Sequence, residues 1–84
     1  MKTITIANIV VELTLISNSE VTGQVYEGKR NNAHVTVVQP VDDTPYAVVS
    51  SNNIDEVNYI MLEHKGEGLR MSDEGVYSFI IRKF

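Results

Sequence analysis

The chain has 84 residues, no cysteine and a net charge of −4, from eleven acids against seven bases. This excludes disulfides and thiolate metal sites, and it disfavours nucleic acid, whose binders gain affinity by neutralising phosphates. The apolar runs fall far short of the ~20 residues a membrane helix needs, and Met1 to Ile6 lacks the features of a signal peptide, so the expectation is one cytoplasmic domain over 1–84 with no membrane partner.

Ile4 and Ile6 lie on one parity, and Ile9, Val11, Leu13 and Leu15 on the other. A one-residue shift turns every strand side chain to the opposite face. Ala7-Asn8 is therefore a bulge or a break, and the preferred reading is a strand at 2–7 followed by a longer one at 9–16. Ser17 to Glu20 reads as a turn, and Val21 to Glu27 as the returning strand, with Gly23 marking a bulge or a close backbone approach. Gly28 to Asn32 is a polar connection. Ala33, Val35 and Val37 make one face of the next strand and His34, Thr36 and Val38 the other, until Pro40 ends it. The run from Ile9 to Val38 thus predicts an antiparallel meander that the rest of the chain must cover on one face. Val41 to Pro45 is a loop, and Tyr46 to Val49 a short strand.

Residues 53–65 carry the signals of a helix. Asn53 can cap it, with Glu56 in capping-box position. Asp55 and Glu56 fall in the first turn and His64 and Lys65 in the last, as the helix dipole favours. Gly66 is placed to supply the left-handed residue that stops it. Ile54, Val57, Ile60, Met61 and His64 form one stripe at helical spacing. The competing reading is a strand in which Val57, Tyr59 and Met61 alternate with their neighbours. Gly66 to Gly68 reads as a joint, Leu69 to Met71 as a short apolar patch, Ser72 to Gly75 as a turn, and Val76 to Phe84 as the final strand.

Catalytic signatures are missing from the sequence. The five glycines fit neither phosphate-binding spacing. Ser50 and Ser51 lack the frame that exposes a nucleophile. His34 and His64 have no ligand set at metal-binding spacing. The expectation is a non-enzyme without cofactor or metal. Tyr26 with Lys29 and Arg30 is the best basic–aromatic spot for a nucleic-acid contact.

Residues 9–62 resemble an Sm-like fold, with Ile9 to Val38 as its first half. Val11-Glu12-Leu13, Val21 to Val25 with its glycine, and Asn31 to Val35 stand where that family has its first three strands. Tyr46 to Leu62 would supply the last two. The resemblance implies a small all-β barrel, assembled in a ring that binds single-stranded RNA. The family's base-gripping Asp corresponds here to Gly28 or Lys29, and its Met-Asn pair to Asn31-Asn32, so Asn32 alone inherits a base contact. Ser51-Asn52-Asn53 replaces the Arg-Gly of its second motif. Small size, acidity and the lack of cysteine also resemble phage-encoded proteins that neutralise host enzymes.

The sequence therefore predicts an α+β domain, an antiparallel sheet of about five strands with one helix (53–65) packed on it; the alternative is the all-β Sm-like barrel. The expected function is that of a small acidic binding protein acting by protein–protein interaction, as an inhibitor of a host nucleic-acid enzyme. The alternative is the RNA-binding ring, a homo-oligomer. The partner has a basic surface, met by Asp42, Asp43, Glu67, Asp73 and Glu74, whose two connections are expected to reach one acidic rim. Nucleic-acid contact would fall to Tyr26, Lys29, Arg30 and Asn32.

Overall fold

Alternating β-branched residues produce strands wherever one face can be buried, and here they build most of the sheet. The computed structural model describes residues 2–84. Its elements are β1 (Lys2–Ile6), β2 (Ile9–Ser19), β3 (Gly23–Arg30), β4 (Ala33–Gln39), β5 (Tyr46–Ser51), α1 (Ile54–His64), β6 (Glu67–Met71) and β7 (Tyr77–Ile81). The strands form one antiparallel sheet in the order β1-β2-β3-β4-β5-β7-β6. The α+β class is as expected, but the sheet has seven strands rather than about five.

The parity change at Ala7-Asn8 is a hairpin. Ile6 pairs with Ile9 across a two-residue turn in which Ala7 has φ 45° and Asn8 φ 71°. Positive φ at both central positions is the type I′ geometry, whose twist matches that of the flanking strands. β2 then runs on to Ser19, through the residues expected to turn. Its pairing partner changes along its length: Lys2 to Ile6 pair with its first half, and Glu27 to Gly23 with its second, across a register shift between Leu15 and Ser17. The bend lets the β1–β2 hairpin fold back over the sheet. A Cβ on Gly28 would strike the Glu12 carbonyl oxygen and lie 2.8 Å from Val11 Cγ1, so β2 crosses β3 at Gly28, where β3 has no side chain. Gly28 to Arg30 therefore belong to β3, and the connection shrinks to Asn31-Asn32, with Asn31 at φ 54°.

The core lies on one side of the sheet. Ala33, Val35 and Val37 of β4, Ala47 and Val49 of β5, and Phe79 and Ile81 of β7 share that face through their registers. Ile6, Val11 and Leu13 of the folded-over hairpin cover part of it, and Val57 and Ile60 of α1 cover the rest. Burying each of these large side chains contributes ~1.5–3 kcal/mol. The helix docks against β5 and β7.

Both ends of α1 differ in detail from the sequence reading. Asn53 caps as expected, its Oδ1 accepting from the Asp55 and Glu56 amides at 3.0 and 3.2 Å. The Asn53 amide donates to Ser51 Oγ, however, which frees the Glu56 carboxylate to reach Arg30. At the other end Lys65, not Gly66, takes the left-handed conformation (φ 51°, ψ 53°). Gly66 is small for a different reason: its Cβ would lie 2.7 Å from Phe79 Cδ2. Because residues 54–64 are helical, they do not form the last strand that the all-β barrel would need.

Leu69 to Met71, expected as an isolated patch, belong with Glu67 to edge strand β6. Every residue of β6 is exposed, so no alternating pattern marks it in the sequence. Among the described residues no helix is long and apolar enough to cross a membrane.

Candidate functional site

The basic–aromatic cluster is divided by the sheet. Pairing places Tyr26, Gly28 and Arg30 on the core side of β3, opposite Val37, Val35 and Ala33. Lys29 points from the other face, beside His34 on β4, and Asn32 is exposed at the hairpin tip. The Tyr26 ring is half-buried under the Lys2 ammonium, 4.6 Å from its centroid, and its hydroxyl donates to Gln24 Oε1 at 2.9 Å.

Arg30 is only 5% exposed. Its Nε donates to the Ile6 carbonyl and a terminal nitrogen to the Ala7 carbonyl, both at 2.8 Å. The other terminal nitrogen pairs with Glu56 Oε2 at 2.8 Å. One cation thus ties the strained hairpin turn to the first turn of α1. Two further contacts hold the same turn. The Ala7 amide donates to His64 Nε2 at 2.8 Å, and Asn8 Nδ2 to the Tyr59 hydroxyl at 2.8 Å. Because Nε2 accepts, the His64 proton sits on Nδ1, where it can donate to the Lys83 carbonyl 2.9 Å away. Arg30 and His64 are therefore joints of the fold.

The acidic connections do not share a rim as wholes: Glu67, paired with Ile80, lies toward the end of Asp42 and Asp43, and Asp73 and Glu74 lie away from it. β4 and β5 meet at Val38 and Tyr46, so the loop with Asp42 and Asp43 opens at that end of the sheet. β5 and β7 meet at Ser51 and Tyr77, so the turn with Asp73 and Glu74 opens at the opposite end. Asp43 accepts from the Thr44 amide at 2.7 Å, and Glu67 holds Arg82 at 2.8 Å in an exposed pair. Such a pair is worth about 1 kcal/mol or less. Apart from Glu27 and Glu56, every acid is exposed. Among the described residues no group of three or more His, Asp or Glu side chains is placed to hold a metal.

Two features had no counterpart in the sequence reading. The first is the sheet's second face. Val25, Val38 and Tyr46 lie side by side across β3, β4 and β5, and Thr36, Val48 and Ile80 across β4, β5 and β7. All are half-buried, and α1 and the β1–β2 hairpin pack on the opposite face. The rim is polar, with His34 and Glu27 3.4 Å apart on one side and the Glu67–Arg82 pair on the other. The second is a groove beside β1, with a volume of about 360 Å³. Alternation of Val25, Val38, Val48 and Ile80 with the core positions was visible in the sequence. What hid the face was that only tertiary structure shows which side a helix covers.

No known protein family, curated protein or solved structure matches this chain.

Proposed function

We propose that this domain is a non-catalytic binding module that acts by contact with another protein. The observation supporting this is the uncovered second face of the sheet, an apolar stripe of Val25, Val38, Val48 and Ile80 within a polar rim. An apolar stripe rimmed by polar side chains is a surface of the kind that partners cover. The net charge of −4 and the exposure of nearly all acids favour a partner with a basic surface. In its finer form the proposal is that the partner is a nucleic-acid enzyme, inhibited when the module covers its basic surface.

The test is affinity capture from the native host, followed by binding measurements with the purified partner. Val48→Arg with Ile80→Arg should abolish binding while the domain stays folded, because both side chains lie on the open face. Asp42→Lys with Asp43→Lys should slow association at low salt and leave it unchanged at high salt. Retained affinity in the Val48/Ile80 variant would remove the sheet face from the proposal. Capture of single-stranded RNA in place of a protein would overturn it.

A further inference from the structure

The two edges of the sheet are unlike. β6 pairs with β7 through a register shift between Glu67 and Arg70, and Gly68 within it has φ 70°. Its irregularity and charges blunt it against further pairing. β1 lacks the irregularity and carries a single charge, at Lys2: it pairs with β2 in unbroken register from Lys2 to Ile6 and contains no proline or bulge.

The hairpin turn fixes which backbone groups of β1 are free. In a two-residue hairpin the pair flanking the turn is hydrogen-bonded, and bonded pairs then alternate with non-bonded ones. Ile6–Ile9 flanks the turn, so Ile4–Val11 and Lys2–Leu13 are bonded pairs. Thr3 and Thr5 are the non-bonded ones, and their N–H and C=O groups point away from β2. Among the described residues no backbone bond outside the ladder engages either.

Thr3 and Thr5 both line the groove. Its floor and far wall are apolar, from Ile4, Leu13, Val37, Pro45 and Phe84, with Gln39 among them. Lys2 is its one charged lining residue, in a chain that is acidic overall. We propose that the β1 edge and this groove bind an extended peptide segment as an added antiparallel strand, apolar at alternate positions and acidic beside Lys2. The inference rests on the binding-module reading and adds a second surface to it. Thr3 and Thr5 supply the main-chain bonds, the apolar wall reads alternate side chains, and Lys2 sets the polarity of the segment. The far wall of Gln39, Pro45 and Phe84 favours a single strand over the paired edge of a second folded copy.

The experiment titrates the full chain with a short capped peptide of alternating valine and threonine bearing one terminal aspartate, followed by amide NMR. The Thr3 and Thr5 amides should shift and gain exchange protection. Thr3→Pro removes an outward N–H that the fold does not use, and should weaken binding by about tenfold or more, whereas Thr3→Val should not. Methylating the peptide nitrogens that face β1 should have the same effect, and this arm decides the matter even if Thr3→Pro unfolds. Three results would overturn the proposal: no binding at about 1 mM peptide, equal binding of the methylated peptide, or shifts centred on Val48 and Ile80. Concentration-dependent shifts of Thr3 and Thr5 without peptide would also overturn it, by assigning the edge to a second copy. Loss of the β1 site by any of the other results leaves the Val48/Ile80 test of the sheet face untouched, whereas shifts at Val48 and Ile80 would support that face.

Discussion

Replacing Arg30 by methionine keeps the apolar stem of the side chain but removes the three hydrogen bonds made by its head. The Ile6 and Ala7 carbonyls lose their charged donor. The Glu56 carboxylate, 8% exposed, loses its counter-ion. Breaking a buried pair from one side costs about 3–5 kcal/mol, and each bond to a charged donor about 1.5–3. These figures overlap because the same desolvation enters both, so the loss expected for Arg30→Met is about 4–6 kcal/mol. A chain of this length has a net stability of roughly 4–13 kcal/mol. The variant should therefore lie near its unfolding limit, and the amides of Ala7 and Asn8 should lose exchange protection first. Adding Glu56→Met removes the stranded carboxylate, one of whose oxygens already lacks a protein partner. The double variant should therefore recover about 2 kcal/mol or more. Urea denaturation followed by far-ultraviolet circular dichroism measures both. If Arg30→Met loses less than about 1 kcal/mol, or the double variant is the less stable of the two, the buried ion pair does not hold the hairpin to the helix.

Two further changes test local geometry. Gly28→Ala places a methyl group against the Glu12 carbonyl and Val11, and should destabilise by about 1–3 kcal/mol in the same denaturation assay; an unchanged midpoint would mean that β2 does not cross β3 there. Lys65→Gly relieves a left-handed backbone conformation and should raise stability by about 0.5–1 kcal/mol, read as a higher melting temperature; a lower one would refute the assigned helix stop.

What the sequence determined by itself is local and periodic. The parity of Val35 with Val37 and of Phe79 with Ile81 put each pair on one face of its strand, because a strand side chain's direction follows from its position alone. Asn53 and the stripe through Val57 and Ile60 marked the helix for the same reason. The opposite parities of Ile6 and Ile9 carried the two-residue hairpin, since residues paired across such a turn are an odd number apart. What only tertiary structure decided depends on which distant segments meet. Arg30 stands in a polar run and reads as a solvent-facing base. It turns inward because the bend in β2 brings two carbonyls of a strained turn, and Glu56 of the helix, within its reach. Gly66 reads as a helix stop, but Phe79, from a strand paired later in the chain, is what requires it to be small. The sequence reading brings the two acidic connections to one rim. They separate because α1 carries the chain back across the core, so β6 runs toward the end opposite Asp42 and Asp43. The free groups of Thr3 and Thr5 follow from strand order, since a local pattern records how a strand alternates but not whether its far side has a neighbour.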